Sequence, residues 1–352
     1  MAGRAPFPRA ALLCVAMLAT AWATAVQPQQ ATGLVVCHAS SLQAAFSTVE
    51  REFASRYPHV RVTDVSGGSV ALAGRVAAGL QPCDVFGAAD YLDIDLLLKP
   101  SGAATYTIVF AKGRMVLAYL ATDPHARGIA AAGDFNPPMR IPAAAADWYR
   151  VLLEPGVRIS GSHPFLDPAG YRAHMMFQLT QALYGTPNLA NQLLEHYTIL
   201  PDVGGADGGS RRTLGTDFTF QFIYEHSAAA AARTNPAYRY VTLPGQIDLS
   251  TVAHDSVYAR AAVTLPALGF PGGSGPVTIP AARVAWGLTI PTSSHNREQA
   301  IAFVSLLLGP PGTSALNASG PAPIAPAHVA RGDYALVPAA LQPLVRPGTD
   351  VP

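Results

Sequence analysis

The sequence predicts an α/β chain of two lobes, each a mostly parallel sheet covered by helices, joined by a two-strand hinge. Three observations carry that reading. Strand-like and helix-like runs alternate at short spacing from residue 33 to residue 88, the pattern of a parallel, doubly wound sheet covered on both faces. The length of 352 residues exceeds what a single hydrophobic core usually organises. Apolar elements after residue 283 have no obvious partner in the middle of the chain, so the backbone leaves the first lobe near 112 and returns to it near 283. The first lobe is then 33–112 plus 283–345, and the second is 113–282.

Residues 1–25 stand apart in composition. Arg4 and Arg9 precede an apolar run over 10–21, and Ala23-Thr24-Ala25 offers a small-x-small cleavage site before Val26. This predicts a secretory signal and a periplasmic or secreted mature chain. The run is too short to span a bilayer. Residues 33–37 read as a strand, followed by a helix with Leu42, Ala45, Phe46, Val49, Phe53 and Tyr57 on one face. Residues 60–65 alternate as a second strand, and the turn at 66–69 enters a helix whose face is Val70, Ala73, Val76, Ala77 and Leu80. Residues 84–86 are a third strand. Strands at 106–110 and 115–120 lead into the second lobe, whose helices are expected at 147–153, 168–184 and 189–196. Residues 201–209 read as a loop, 228–232 as helix filler and 266–280 as a surface excursion. A strand at 284–290 and a helix at 297–308 complete the first lobe.

The formal charge of +1, from 23 Lys and Arg against 22 Asp and Glu, leaves no basic surplus for a phosphate backbone and argues against nucleic acid as a partner. With 13% charged and 50% hydrophobic residues the chain is not disordered. Cys37 and Cys83 remain after the signal. They sit at the end of one strand and the start of another, offset by several positions if those strands are parallel neighbours, whereas a bridge needs α-carbons within about 7 Å. Two reduced, buried thiols are expected. Enzyme motifs are missing. Ser274, within Gly272-Gly273-Ser274-Gly275, has the wrong spacing for a nucleophile elbow, and the ten His residues show no pair at metal-ligand spacing on a helix face. His38, at a strand end, reads as a structural group. The chain is read as a binding protein that is not an enzyme and carries no cofactor.

Three helix starts share one design: Ser41, Ser69, and Asp167 followed by Pro168 each place a short polar residue at or beside the N-cap. Free backbone N–H groups there form sites for anions without a formal positive charge, gathered at the carboxyl ends of the strands. Each residue can equally serve as a cap alone, worth about 1 kcal/mol.

The motifs His38-Ala39-Ser40-Ser41-Leu42, Ser66-Gly67-Gly68-Ser69-Val70-Ala71-Leu72, Ala88-Ala89-Asp90-Tyr91-Leu92, Asp167-Pro168-Ala169-Gly170-Tyr171-Arg172 and Pro321-Ala322-Pro323-Ile324-Ala325-Pro326-Ala327 occur in this order. In them the chain resembles the tungstate/molybdate-binding proteins that serve ABC importers, over residues 33 to 328. The resemblance implies a type II periplasmic-binding-protein fold that closes on one tetrahedral oxyanion and, as a monomer, delivers it to a membrane permease. It implies that Ser41 and Ser69, with Ser40 beside them, bind the oxyanion from the first lobe, and that Asp167 and Tyr224 contact it from the second. In archaeal-type members carboxylates approach the metal centre, which makes Asp167 the expected direct contact. The family's Phe-Glu-Tyr is replaced here by Phe222-Ile223-Tyr224-Glu225, so Ile223 takes the Glu position and Glu225 is the second carboxylate to examine. A tetrahedral dianion offers only acceptors, so a site of donors suits tungstate, molybdate or sulfate and disfavours protonated phosphate. A binding protein for sulfate, phosphate or another small anion is the alternative.

Overall fold

A computed structural model describes residues 32–131, 148–199, 213–267 and 275–348. The expected signal at 1–25, the loop at 201–209 and Ser274 lie outside the described residues. Alternating and continuous apolar runs become strands in chain order: β1 (Thr32–Ala39), β2 (Val60–Gly67), β3 (Val85–Ala88) and β4 (Ile108–Lys112), then β5 (Met115–Leu120), β6 (Ile159–Gly161), β7 (Tyr197–Ile199), β8 (Phe220–Tyr224) and β9 (Tyr238–Thr242). The remaining strands are β10 (Ala262–Leu265), β11 (Val277–Pro280), β12 (Ala285–Thr289), β13 (Ala322–Ala330) and β14 (Val345–Gly348).

Seven strands form one sheet in the order β14-β13-β4-β12-β3-β1-β2, and five form a second in the order β7-β6-β8-β5-β9. The α/β reading holds, but both sheets are mixed and not mostly parallel: in the second, β6 runs parallel to β7 and β8 while β5 runs antiparallel to β8 and β9. β1, β2 and β3 run parallel, whereas β12 lies antiparallel between β3 and β4, and β13 lies antiparallel to β4. The reason is the path of the chain, which comes back from the second sheet on the opposite heading. The end of the expected surface excursion at 266–280 is β11, which pairs antiparallel with β10 just before the excursion.

The crossing from the first sheet to the second takes two residues, Gly113 and Arg114, between β4 and β5. Gly113 donates its N–H to Val284 O at 3.0 Å, and a Cβ there would stand 3.0 Å from the Trp286 ring, so the crossing strands approach too closely for a side chain. Helix α1 (Gln43–Arg56) buries Ala45, Phe46, Val49 and Phe53 against the first sheet, and α2 (Ser69–Ala77) buries Val70, Leu72, Ala73 and Val76. The Pro168–Tyr184 helix begins at an Asp167 N-cap with Pro at its first turn and ends at Gly185 in the left-handed region, φ 60°. The Arg297–Leu308 helix has the bounds its periodicity predicts. Among the described residues no single helix is long and apolar enough to cross a membrane.

The cysteines depart from expectation: Cys37 and Cys83 form a disulfide, with Cα atoms 5.9 Å apart. The offset argument assumed that Cys83 continues the ladder. It lies instead before β3, where Asp84 N–H donates to Val35 O at 2.8 Å and the Pro82 carbonyl comes within 3.6 Å of Cys37 Sγ. The turn carries Cys83 back alongside β1.

Candidate functional site

The expected site residues sit where chain segments end at the junction of the two sheets. Ser41 lies in the 3₁₀ turn Ser40–Leu42 after β1, Ser69 opens α2 directly after β2, Asp167 caps the Pro168–Tyr184 helix and Tyr224 ends β8. The capping question separates cleanly. Neither serine caps a helix: Leu42 precedes α1 and Gly68 precedes α2, and neither N-cap makes a side-chain cap bond. Asp167 does cap, its Oδ1 accepting the Ala169 N–H at 2.8 Å.

The serine hydroxyls are held from behind. Ser41 Oγ accepts the Trp286 indole N–H at 3.0 Å, and Ser69 Oγ, fully buried, accepts the Ala89 N–H at 2.9 Å. Tyr224 Oη likewise accepts from Arg172 Nη1 at 2.7 Å. Each of the three hydroxyls accepts one hydrogen bond from a fixed donor, and among the described residues none of them donates its own proton to a protein acceptor. Each O–H is therefore poised to donate.

Aromatic packing joins these groups. Trp286 packs edge-on against Tyr224 at 4.9 Å between ring centroids and against His226 at 5.4 Å, while His226 Nε2–H donates to Ser41 O at 2.9 Å. Burial lowers the His226 pKa, which keeps this ring neutral. Burial raises the Tyr224 pKa, against the opposing pull of Arg172, and keeps its phenol protonated.

Sequence reasoning missed Arg172 and Asp90 as site components, although both stand in the quoted motifs. Arg172 is 1% exposed; besides Tyr224 it donates to Ala89 O at 2.8 Å and pairs with Asp90 Oδ2 at 2.9 Å. Asp90 also accepts from Tyr171 Oη at 2.7 Å and from Leu92 N–H at 3.1 Å. Burial works against the charges of both partners, and each supplies the counter-charge of the other. The guanidinium thus fixes the Ala89 peptide, whose N–H orients Ser69, and the Tyr224 hydroxyl at once.

The first-sheet serine loop also meets the segment before the Pro168–Tyr184 helix. Ala71 N–H donates to Leu166 O at 3.1 Å, and a Cβ built on Gly68 would fall 2.4 Å from Leu166 O and 3.2 Å from Asp167 Cβ. This brings Asp167 beside Ser69. Ser40 is exposed, its Oγ accepting from Ser66 Oγ at 3.3 Å. Ile223 alternates with Tyr224 on β8 and packs in the cluster with Val116, Ala118 and Tyr240. Glu225 pairs with Arg114 Nε at 3.0 Å.

Residues 34–320 match the bacterial extracellular solute-binding proteins. An uncharacterised solute-binding protein of Methanoculleus marisnigri is 30% identical over 89% of this chain and 86% of its own length. The molybdate/tungstate-binding protein WtpA of Thermococcus kodakarensis is 28% identical over 81% of this chain and 80% of its own. Among solved structures, the sulfate-binding protein SubI of Mycobacterium tuberculosis superposes with a TM-score of 0.54 at 16% identity, covering 83% of this chain and 87% of the other, which is a likeness of fold. A match across most of the described chain, on a fold of two sheets that meet at the expected serine, tyrosine and aspartate positions, makes this chain a member of the bacterial extracellular solute-binding protein family.

Proposed function

We propose that this solute-binding protein captures one tungstate or molybdate ion between two lobes, 33–112 plus 283–345 and 113–282, and as a monomer delivers it to an ABC permease. The observation that carries the reading is the set of three hydroxyls, Ser41, Ser69 and Tyr224, each with its acceptor side filled by Trp286, Ala89 or Arg172. With one fixed donor behind each oxygen, the hydroxyl proton is left to turn outward. That matches a dianion that is all acceptors. The relative named for molybdate and tungstate supports the same choice of solute.

Asp167 favours one second reading. A carboxylate beside the hydroxyls can accept the proton of hydrogen phosphate, which a donor-only site cannot. Titration calorimetry of the mature chain against tungstate, molybdate, sulfate and phosphate decides. Tungstate or molybdate is expected to bind one per chain with a micromolar or tighter dissociation constant, about 8 kcal/mol or more. Equal or tighter binding of sulfate or phosphate overturns the reading.

A further inference from the structure

Beneath α1, in the first sheet, three ligand-type side chains converge on one point. His38 on β1, Asp64 on β2 and Glu50 on α1 each offer one atom within 4.8 Å of the others. The strand register explains the meeting of the first two. Asp64 is the partner of Val36 and Ser66 the partner of His38, so His38 and Asp64 share one face of neighbouring parallel strands. Helix α1 lies over that face, with the Phe46 ring 4.8 Å from the His38 ring.

The bonding within the cluster fixes the chemistry. His38 is fully buried, and its Nδ1 lies 2.8 Å from Ala39 O. A carbonyl only accepts, so Nδ1 carries the proton and Nε2 of a neutral ring presents a lone pair. That Nε2 stands 2.8 Å from Asp64 Oδ1, an ion-pair distance whose angle falls outside hydrogen-bond geometry, so a metal ion and a shared proton compete for the same place. Glu50 Oε1 is buried with no hydrogen-bond partner among the described residues. Gln43 Nε2 donates to Asp64 Oδ2 at 2.6 Å, which occupies that oxygen and leaves Oδ1 facing His38. A fully buried imidazole, a half-buried carboxylate and an exposed one therefore bring three ligand-type atoms together, and a cation among them would offset the repulsion of the two carboxylates. An imidazole whose Nδ1–H is held by a backbone carbonyl while Nε2 points at carboxylates is also the usual orientation of a metal-ligating histidine.

We infer that His38 Nε2, Glu50 and Asp64 bind one divalent transition cation of the zinc class, at a place separate from the oxyanion cluster. One nitrogen with two carboxylate oxygens is a donor set such ions accept, with remaining positions open to water. Asp64, whose side chain is 31% exposed, gives the ion a route from solvent. The ion would tie β1, β2 and α1 together three residues before Ser41, so the site braces the turn that presents that serine.

The test uses the mature chain stripped with a chelator, Zn²⁺ alone as the probe, and two variants at the less buried ligands, Glu50→Gln and Asp64→Asn. Substitution of His38 is avoided because its ring is part of the packing. Calorimetry is expected to find one Zn²⁺ per wild-type chain, with the dissociation constant raised by about tenfold or more in each variant. Zn²⁺ should also raise the melting temperature of the wild type and not of the variants, all of which should give a cooperative melt without the ion. Zn²⁺ that leaves the wild-type melt unchanged shows a metal-free imidazolium–carboxylate cluster, and equal binding by wild type and both variants shows adventitious surface sites. Either result overturns the inference.

Discussion

Arg172 and Asp90 meet at 2.9 Å with side chains 1% and 4% exposed, although one lies on the Pro168–Tyr184 helix and the other just beyond β3 of the first sheet. A buried pair of this kind is a poor net source of stability, because desolvating two ions offsets their attraction, yet losing one partner strands the other. Arg172→Gln is therefore expected to destabilise the chain by about 3 to 5 kcal/mol. Asp90→Asn in that background should recover part of the loss by removing the uncompensated charge, and urea unfolding of the three variants in a double-mutant cycle measures both effects. A purely additive cycle would contradict the pairing.

Asp93 sits next to this pair, its Oδ1 3.2 Å from Tyr171 Oη, and its carboxyl is pushed well above the usual range, first by burial and then by Asp90. A raised folded pKa means that the native chain holds a proton the unfolded chain has lost. The contribution of Asp93 to stability is thus complete below about pH 4 and is lost as pH rises through the folded value. Asn mimics the neutral acid at every pH. Asp93→Asn and wild type should unfold at nearly equal urea concentrations near pH 4, with the variant increasingly the more stable as pH is taken to 8. Parallel curves across that window would show that Asp93 is not held protonated.

What could be read ahead of the structure follows from the range of each signal. The alternation at 60–65 and the helical face of Arg297–Leu308 are local, and both elements form as expected. β13 was visible only as a Pro-rich motif, because Pro323 and Pro326 mask a strand signal that the antiparallel pairing with β4 supplies. Arg172 stands within a quoted motif, and nothing local in the sequence marks it as buried. Its burial depends on Asp90 and Tyr224, distant partners with no periodic trace in the sequence. The disulfide escaped for a related reason: strand register is predictable from pattern, and the path of the turn before β3 is not. The serines were found by their place at helix starts, but their role differs from the cap that such a place ordinarily implies.

That difference makes the serines easy to test. Ser41→Ala and Ser69→Ala each remove a hydroxyl that caps nothing but accepts an N–H from Trp286 or Ala89, so each should cost about 1 to 3 kcal/mol of stability by stranding that donor and, beyond that, weaken tungstate binding by about 1.5 to 3 kcal/mol. The tungstate dissociation constant and the thermal midpoint, measured on the same preparations, report the two quantities separately. Early melting with normal affinity would return both residues to a structural role.

Asp167→Asn keeps the cap, since Asn serves an N-cap about as well as Asp, and removes only the charge. Oδ1 is engaged on Ala169, Ile223 packs away on the other face of β8 and Glu225 is held by Arg114, so neither of the last two positions supplies a second carboxylate beside Asp167. A hydrogen-bonded cage is the expected site, and in it a carboxylate beside a dianion is repulsive. The variant should bind tungstate as well as wild type or more tightly, at matched pH and salt. Weakening by about tenfold or more would show that the carboxylate reaches the metal centre.

Gly68 tests closure itself. Its backbone, φ −68° and ψ 131°, is open to any residue, so Gly68→Ala asks nothing unusual of the serine loop or of the first sheet. The obstacle lies across the junction, where the added methyl would stand 2.4 Å from Leu166 O, a backbone atom that cannot rotate aside. The same junction carries the Ala71 N–H bond to Leu166 O at 3.1 Å, so relieving the clash by separation also breaks that bond. The cost therefore falls on the state in which the two sheets approach and not on the fold of either. Gly68→Ala should bind tungstate more weakly than wild type. In solution scattering the wild type should contract on saturation, through the hinge at Gly113 and Arg114, while the variant contracts less. A variant that contracts and binds as wild type does would mean that the serine loop and Leu166 are not brought together by the ligand.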